Sequence, residues 1–148
     1  MTNKEKALDY FGRRFHCSQA ILAAFANECG LTEDHALRLG SCFGGGMRKG
    51  EVCGACTGAL MVLGELYGQF DENDLQSREL ANKVNDEMMK RFAERTGSYL
   101  CRDILKCDIS TKEGVEYALQ NKLFTDLCPK IVAVAVDVLE WIIDENKK

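Results

Sequence analysis

Apolar positions recur every three or four residues along most of the chain, the repeat of helices that bury one face. Ile21, Leu22 and Phe25 mark a helix from about 15 to 28, with Gly30 as its stop. Leu75, Leu80, Val84, Met88 and Phe92 form one stripe on a long helix that opens at Asp71–Asp74 and ends at Thr96-Gly97-Ser98. The run Ile131 to Val136 is rich in β-branched residues. Asp137, Glu140 and the length of the segment nevertheless predict a buried helix, entered through Cys128-Pro129. Further helices are expected over 4–13, from Thr32 toward Phe43, from Val52 to Tyr67 and from Thr111 to Lys122, with a short helical turn or loop over 99–107. Thr32 can cap its helix, and Glu33 and Asp34 suit a positive helix start. Glycine clusters at Gly44-Gly45-Gly46 and Gly50, so that segment reads as a loop. No strand alternation and no repeat appears. The expected fold is all-α: residues 1–148 as a single-domain bundle of four or more helices with a glycine-rich loop.

Composition adds what the pattern lacks. The chain has 148 residues, 46% of them hydrophobic and 28% charged, enough for one core without covalent staples. Nineteen Lys and Arg stand against 23 Asp and Glu, a net charge of −4 with no basic block, which argues against a nucleic-acid partner. Asp9 and Gly12-Arg13-Arg14 interrupt any secretory leader. The longest weakly polar run, Val52 to Gly64, is about thirteen residues, short of the roughly 20 that span a bilayer. A cytoplasmic protein without membrane insertion is expected. Eight cysteines in a reducing compartment are ligands, redox groups or buried apolar residues rather than static disulfides.

Four of the eight fall where a helix is expected to begin: Cys17, Cys53, Cys101 and Cys128. The positive end of a helix favours a thiolate, the form that attacks disulfides and binds metal. Burial as small apolar residues is the competing reading, and Cys29, Cys42 and Cys107 lean toward it. Cys53-Gly54-Ala55-Cys56 is a C-x-x-C at a helix start, suited to a redox dithiol or a metal chelate. It lacks the βαβ setting of thioredoxin, the second C-x-x-C of a zinc ribbon and the histidine of a haem attachment site. His16, beside Cys17, is a candidate ligand or proton acceptor set against an ordinary solvated helix-start residue. Gly46, Gly50, Gly54 and Gly58 recur every four residues. Where helical, they leave one face bare for a cofactor or for tight packing, including across a homodimer.

Phe15-His16-Cys17-Ser18-Gln19-Ala20, Gly44-Gly45-Gly46-Met47, Cys53-Gly54-Ala55-Cys56-Thr57-Gly58, Cys101-Arg102-Asp103 and Cys128-Pro129 follow one another in the order of a known pattern. The chain resembles the redox-active family labelled C_GCAxxG_C_C, which carries four cysteines, the second inside a Cys-Gly-Ala-x-x-Gly motif. The resemblance places the family cysteines at Cys17, Cys53, Cys101 and Cys128 and leaves Cys56 at a variable position. The family is similar in turn to part of the split-Soret cytochromes, which are dimeric and carry haem and an iron–sulfur centre. Without a haem motif, haem does not carry over.

Three functions follow as expectations. In the first, Cys17, Cys53, Cys101 and Cys128 hold an iron–sulfur cluster or other metal for electron transfer, with Gly54 and Gly58 letting it lie against backbone N–H groups. In the second, metal-free thiol–disulfide exchange uses Cys53 as nucleophile, with Cys56 or another cysteine resolving it. In the third, zinc on the four thiolates stabilises a structural or interaction protein. The redox partner is unspecified in each.

Overall fold

The computed structural model describes residues 1–148 as an all-α fold of eight helices. These are α1 (Asn3–Gly12), α2 (Cys17–Ala24), α3 (Glu33–Gly40), α4 (Gly54–Tyr67), α5 (Leu75–Thr96), α6 (Cys101–Leu105), α7 (Lys112–Gln120) and α8 (Cys128–Glu145). Four of them are closed at their start by side chains that the sequence supplies. Thr2 Oγ1 accepts from the Glu5 N–H at 3.1 Å while the Thr2 N–H donates to Glu5 Oε1 at 2.9 Å, a capping box on α1. Thr32 accepts from the His35 N–H on α3, Asp74 from the Ser77 N–H on α5 and Thr111 from the Gly114 N–H on α7. Each such cap is worth about 1 kcal/mol.

The core is a cluster of 26 buried residues with α2 at its centre. Around α2 pack α1, α3, α4 and α8, and α5 closes the far side against α4 and α8. Ile21, Leu22 and Phe25 are buried as their spacing predicts. Each contributes about 1.5–3 kcal/mol by leaving water. The β-branched run is helical, and Val132, Val136, Leu139 and Ile142 of α8 are fully buried. On α5 the buried stripe is Val84, Met88 and Phe92; Leu75 is exposed, because the first turn of α5 runs past the end of the core. No helix is long and apolar enough to cross a membrane.

The glycine-rich stretch divides. Gly54 and Gly58 lie on α4, but Gly46 and Gly50 belong to a separate turn. Gly45, Gly46, Met47 and Arg48 are all left-handed, with φ of 62°, 61°, 57° and 62°. The two non-glycine residues hold that conformation at roughly 1–2 kcal/mol each. The four-residue glycine repeat therefore does not run along one helix face.

The face that Gly58 leaves bare is filled by α2. A β-carbon there would stand 2.9 Å from the Ser18 carbonyl oxygen and 3.1 Å from Ile21 Cβ. Close packing within one chain, rather than a second copy or a cofactor, thus occupies this position. Ser18, buried beside it, donates its hydroxyl to the Gly40 carbonyl at 2.7 Å and ties α2 to α3.

Candidate functional site

The four family cysteines stand at the starts of the other four helices. Cys17 is the first residue of α2, Cys53 the N-cap of α4, Cys101 the first residue of α6 and Cys128 the first of α8. No N-cap side chain closes α4, α6 or α8, and at α2 the only such bond runs the other way, from the His16 N–H to Gln19 Oε1. Threonine or aspartate closes α1, α3, α5 and α7, whereas cysteine opens α2, α4, α6 and α8.

Two short extended segments bring Cys53 and Cys101 together. Val52 and Leu100 pair in an isolated antiparallel bridge. Cys53 N–H donates to the Tyr99 carbonyl at 2.8 Å, and Cys101 N–H donates to the Glu51 carbonyl at 2.7 Å. Arg102 adds an ion pair with Glu51 at 2.9 Å. The sequence pattern misses this bridge, and it also carries α2 on to about 28 where the structure turns after Ala24. The bridge's only trace is an apolar residue, Val52 or Leu100, immediately before Cys53 and Cys101.

Cys17, Cys53, Cys101 and Cys128 all line one cavity of about 680 Å³. Phe11, Phe15, Ile104, Phe124 and Val132 contribute to its largely apolar wall. Cys17 and Cys53 are neighbours in that wall, the Cys17 sulfur lying against Gly54, the residue after Cys53. The Cys53 thiol hydrogen-bonds to the Cys17 sulfur and holds the Cys17 pKa down at about 7, against burial, which pushes it up. The backbone N–H groups of Gly45, Ser18 and Cys17 itself add to the lowering. Cys53, the proton donor of the pair, is held well above its ordinary value by that hydrogen bond, by burial and by the Cys17 charge. Burial and then the Cys17 charge push Cys101 and Cys128 up to about 12. The two sulfurs share one proton, so the pair ionises as a unit, in this arrangement with the charge on Cys17 and the proton on Cys53.

The remaining cysteines are redistributed. Cys56 does not line the cavity; it is fully buried on α4, its sulfur 3.4 Å from Met89 Sδ, and burial alone raises its pKa to about 12. The C-x-x-C thus parts at the surface of the core, with Cys53 facing the cavity and Cys56 inside. Cys42, expected in the core, is exposed because it lies in the turn after α3. Cys107, also expected in the core, is half-buried and close enough to Cys101 and Cys128 for its charge to raise both. Cys29 packs half-buried against the core. His16 is the N-cap residue of α2 and lines the cavity; its N–H donates to Gln19 Oε1 at 2.8 Å.

Neither Gly54 nor Gly58 lines the cavity, although Cys53 and Ala55 on either side of Gly54 do. A Gly54 β-carbon would meet Cys17 Sγ, the Phe43 carbonyl and Gly44 Cα. As the side chains stand, no three His, Cys, Asp or Glu residues converge as ligands of a single ion. A tetrahedral zinc site needs four sulfurs each about 2.3 Å from one centre. A cluster spreads its irons over several positions and draws on the same donor type.

A family model described as "Putative redox-active protein (C_GCAxxG_C_C)" matches residues 15–142. No curated protein and no solved structure gives a match.

Proposed function

The chain belongs to the C_GCAxxG_C_C family of redox-active proteins, and from that premise we propose that it is a thiol–disulfide redox protein whose working pair is Cys17 and Cys53. The observation that carries the reading is the placement of Cys17 and Cys53 in the wall of one apolar cavity, with the Cys17 sulfur against Gly54, the residue that follows Cys53.

In this reaction the Cys17 thiolate attacks one sulfur of a substrate disulfide. A mixed disulfide forms on Cys17, and the other substrate sulfur leaves as a thiolate. The proton of Cys53 passes to that leaving sulfur. The Cys53 sulfur then attacks Cys17, forming the Cys17–Cys53 disulfide and releasing the second substrate sulfur. Two electrons pass from protein to substrate, and the reverse sequence reduces the protein. A thiol with a pKa near the ambient pH is the best attacking group, which suits Cys17. The apolar wall limits water at the mixed disulfide. A cytoplasmic setting would supply the reductant that resets the pair.

The test is a thiol count. Mild oxidation of the reduced protein is expected to remove two titratable thiols. Cys17→Ser and Cys53→Ser should each abolish that loss, and Cys56→Ser should leave it intact. An unchanged count in the parent protein, or dependence on Cys56, would refute the pair.

A second reading is favoured by one further observation, the gathering of all four family cysteines around one cavity. Those residues would hold an iron–sulfur cluster, which would supply one-electron transfer, with Gly54 letting it lie close to the backbone. Anaerobic reconstitution should then load iron and acid-labile sulfide. That loading should fail in Cys101→Ser and Cys128→Ser, two residues the dithiol reading does not use.

A further inference from the structure

The charges around the cavity carry a sign that the chain as a whole does not. The protein is net negative, with 23 acidic residues, yet no Asp or Glu lines the cavity. The charged side chains in its lining are Arg14 and Arg48. Both are exposed, and neither takes part in any ion pair. Neighbouring arginines are used differently. Arg13 pairs with Asp9 and stands over the Tyr10 and Phe15 rings, and Arg102 pairs with Glu51.

Arg14 and Arg48 share a second property. Their φ values are 74° and 62°, so both occupy the left-handed region at a cost that glycine would avoid. Strained residues gather at ligand sites, where the surrounding structure holds them. Of the five non-glycine residues in that region, the two that line the cavity are the two that bring it free positive charge; Met47, Lys106 and Lys122 lie outside its lining. The cavity volume, about 680 Å³, lies within the range of small-molecule sites.

We propose that the cavity takes an organic anion with an extended apolar body that carries the reacting thiol or disulfide, its charged end held by Arg14 and Arg48 and its apolar body lying along Phe11, Phe15, Ile104 and Phe124. The sulfur part of this assignment rests on the Cys17–Cys53 reading; the anionic and apolar part rests on the cavity lining alone. Arginine suits a carboxylate because its fork can donate two parallel hydrogen bonds. Cys53, Cys101 and Cys128 are neutral thiols, so the Cys17 thiolate is the one negative group along the wall, and it is the reacting one.

Two matched pairs of probes separate the two parts. Octanoate and octanamide contain no sulfur and read the cavity. Octanoate is expected to bind about tenfold tighter by calorimetry, the effect of one charge-assisted contact. The preference should vanish in the Arg14→Gln/Arg48→Gln protein, whose exposed substitutions leave the helical circular dichroism unchanged. Equal binding of the two probes, or a preference that survives the double substitution, would overturn the assignment.

Dihydrolipoate and dihydrolipoamide read the reaction. Each gives two electrons to the oxidised protein. The Cys17–Cys53 bond breaks, the probe closes its own S–S bond, one proton ends on Cys53 and the other goes to Cys17 or to water. Dihydrolipoate should react about tenfold faster, again only with both arginines present. Equal rates in the parent protein would overturn the substrate class. A protein that prefers octanoate but never forms the Cys17–Cys53 bond would keep the anion site and lose the redox reading.

Discussion

A β-carbon on Gly54 would stand 2.5 Å from the sulfur of Cys17. The glycine of the Cys-Gly-Ala-x-x-Gly motif is therefore the space in which the first family cysteine sits. Gly54→Ala must push the Cys17 sulfur aside or shift α4, and the Phe43 carbonyl at 3.0 Å leaves little room for the second. A stability loss of about 1–3 kcal/mol is expected from overpacking. The alkylation rate of Cys17 at neutral pH should fall as well, because the displaced sulfur loses its donors. Denaturant titration and iodoacetamide kinetics measure the two effects separately.

The pH profile of that alkylation is the next expectation. Cys17 ionises at about 7 in the folded protein. Its modification should be half-maximal there, while Cys56, Cys101 and Cys128, pushed up to about 12, stay silent. The effect on folding has a fixed sign. A lowered folded-state pKa stabilises the protein above the unfolded thiol value, near 8.5, and that contribution is lost as pH falls through about 7. The raised thiols act oppositely: their contribution is full below the unfolded value and is lost as pH rises toward 12. The Cys17 contribution alone should therefore rise from pH 7 to about 8.5, and the raised thiols offset it increasingly above about pH 7.5, so it is read as the stability difference between the protein and Cys17→Ser. A difference that stays flat across that interval would argue against a thiolate at Cys17.

Cys56→Ser tests how the C-x-x-C is divided. The hydroxyl would enter a fully buried position beside Met89, whose sulfur is a weak acceptor. A loss of about 1–3 kcal/mol is expected from burying it poorly paired. The number of thiols lost on mild oxidation should not change. Urea unfolding and thiol titration on the same sample check both.

Gly58→Ala addresses the glycine face. The new methyl would press on the Ser18 carbonyl and Ile21 within the same chain. Stability should fall by about 1–3 kcal/mol. The fall should be independent of protein concentration, since the contact is intramolecular. A loss that grows on dilution would place a second copy at this face.

Much of the fold was legible because its causes are local. Thr32 caps the helix it was expected to open, and Asp74 and Thr111 stand at the starts their segments indicate, signals that need no tertiary context. The α8 run resolved correctly because Asp137 and Glu140 interrupt it with helical rather than alternating spacing. The four helix-start cysteines were legible for the same reason. Their relation to one another was not. It depends on the Val52–Leu100 bridge and on the left-handed Gly45–Arg48 turn, which are set by segments distant in sequence. The separation of Cys56 from the site has the same origin. Spacing places Cys56 near Cys53, but only the packing of α5 decides that its sulfur meets Met89. Arg14 and Arg48 give no sequence signal at all, since nothing in the pattern joins the end of α1 to the glycine-rich turn.

The most direct test is the identity of the disulfide formed on mild oxidation. Peptide mapping of the oxidised, alkylated protein is predicted to recover Cys17 linked to Cys53, with Cys56 alkylated only after unfolding. Recovery of a Cys53–Cys56 link, or of Cys17 and Cys53 both as free thiols, would contradict the account.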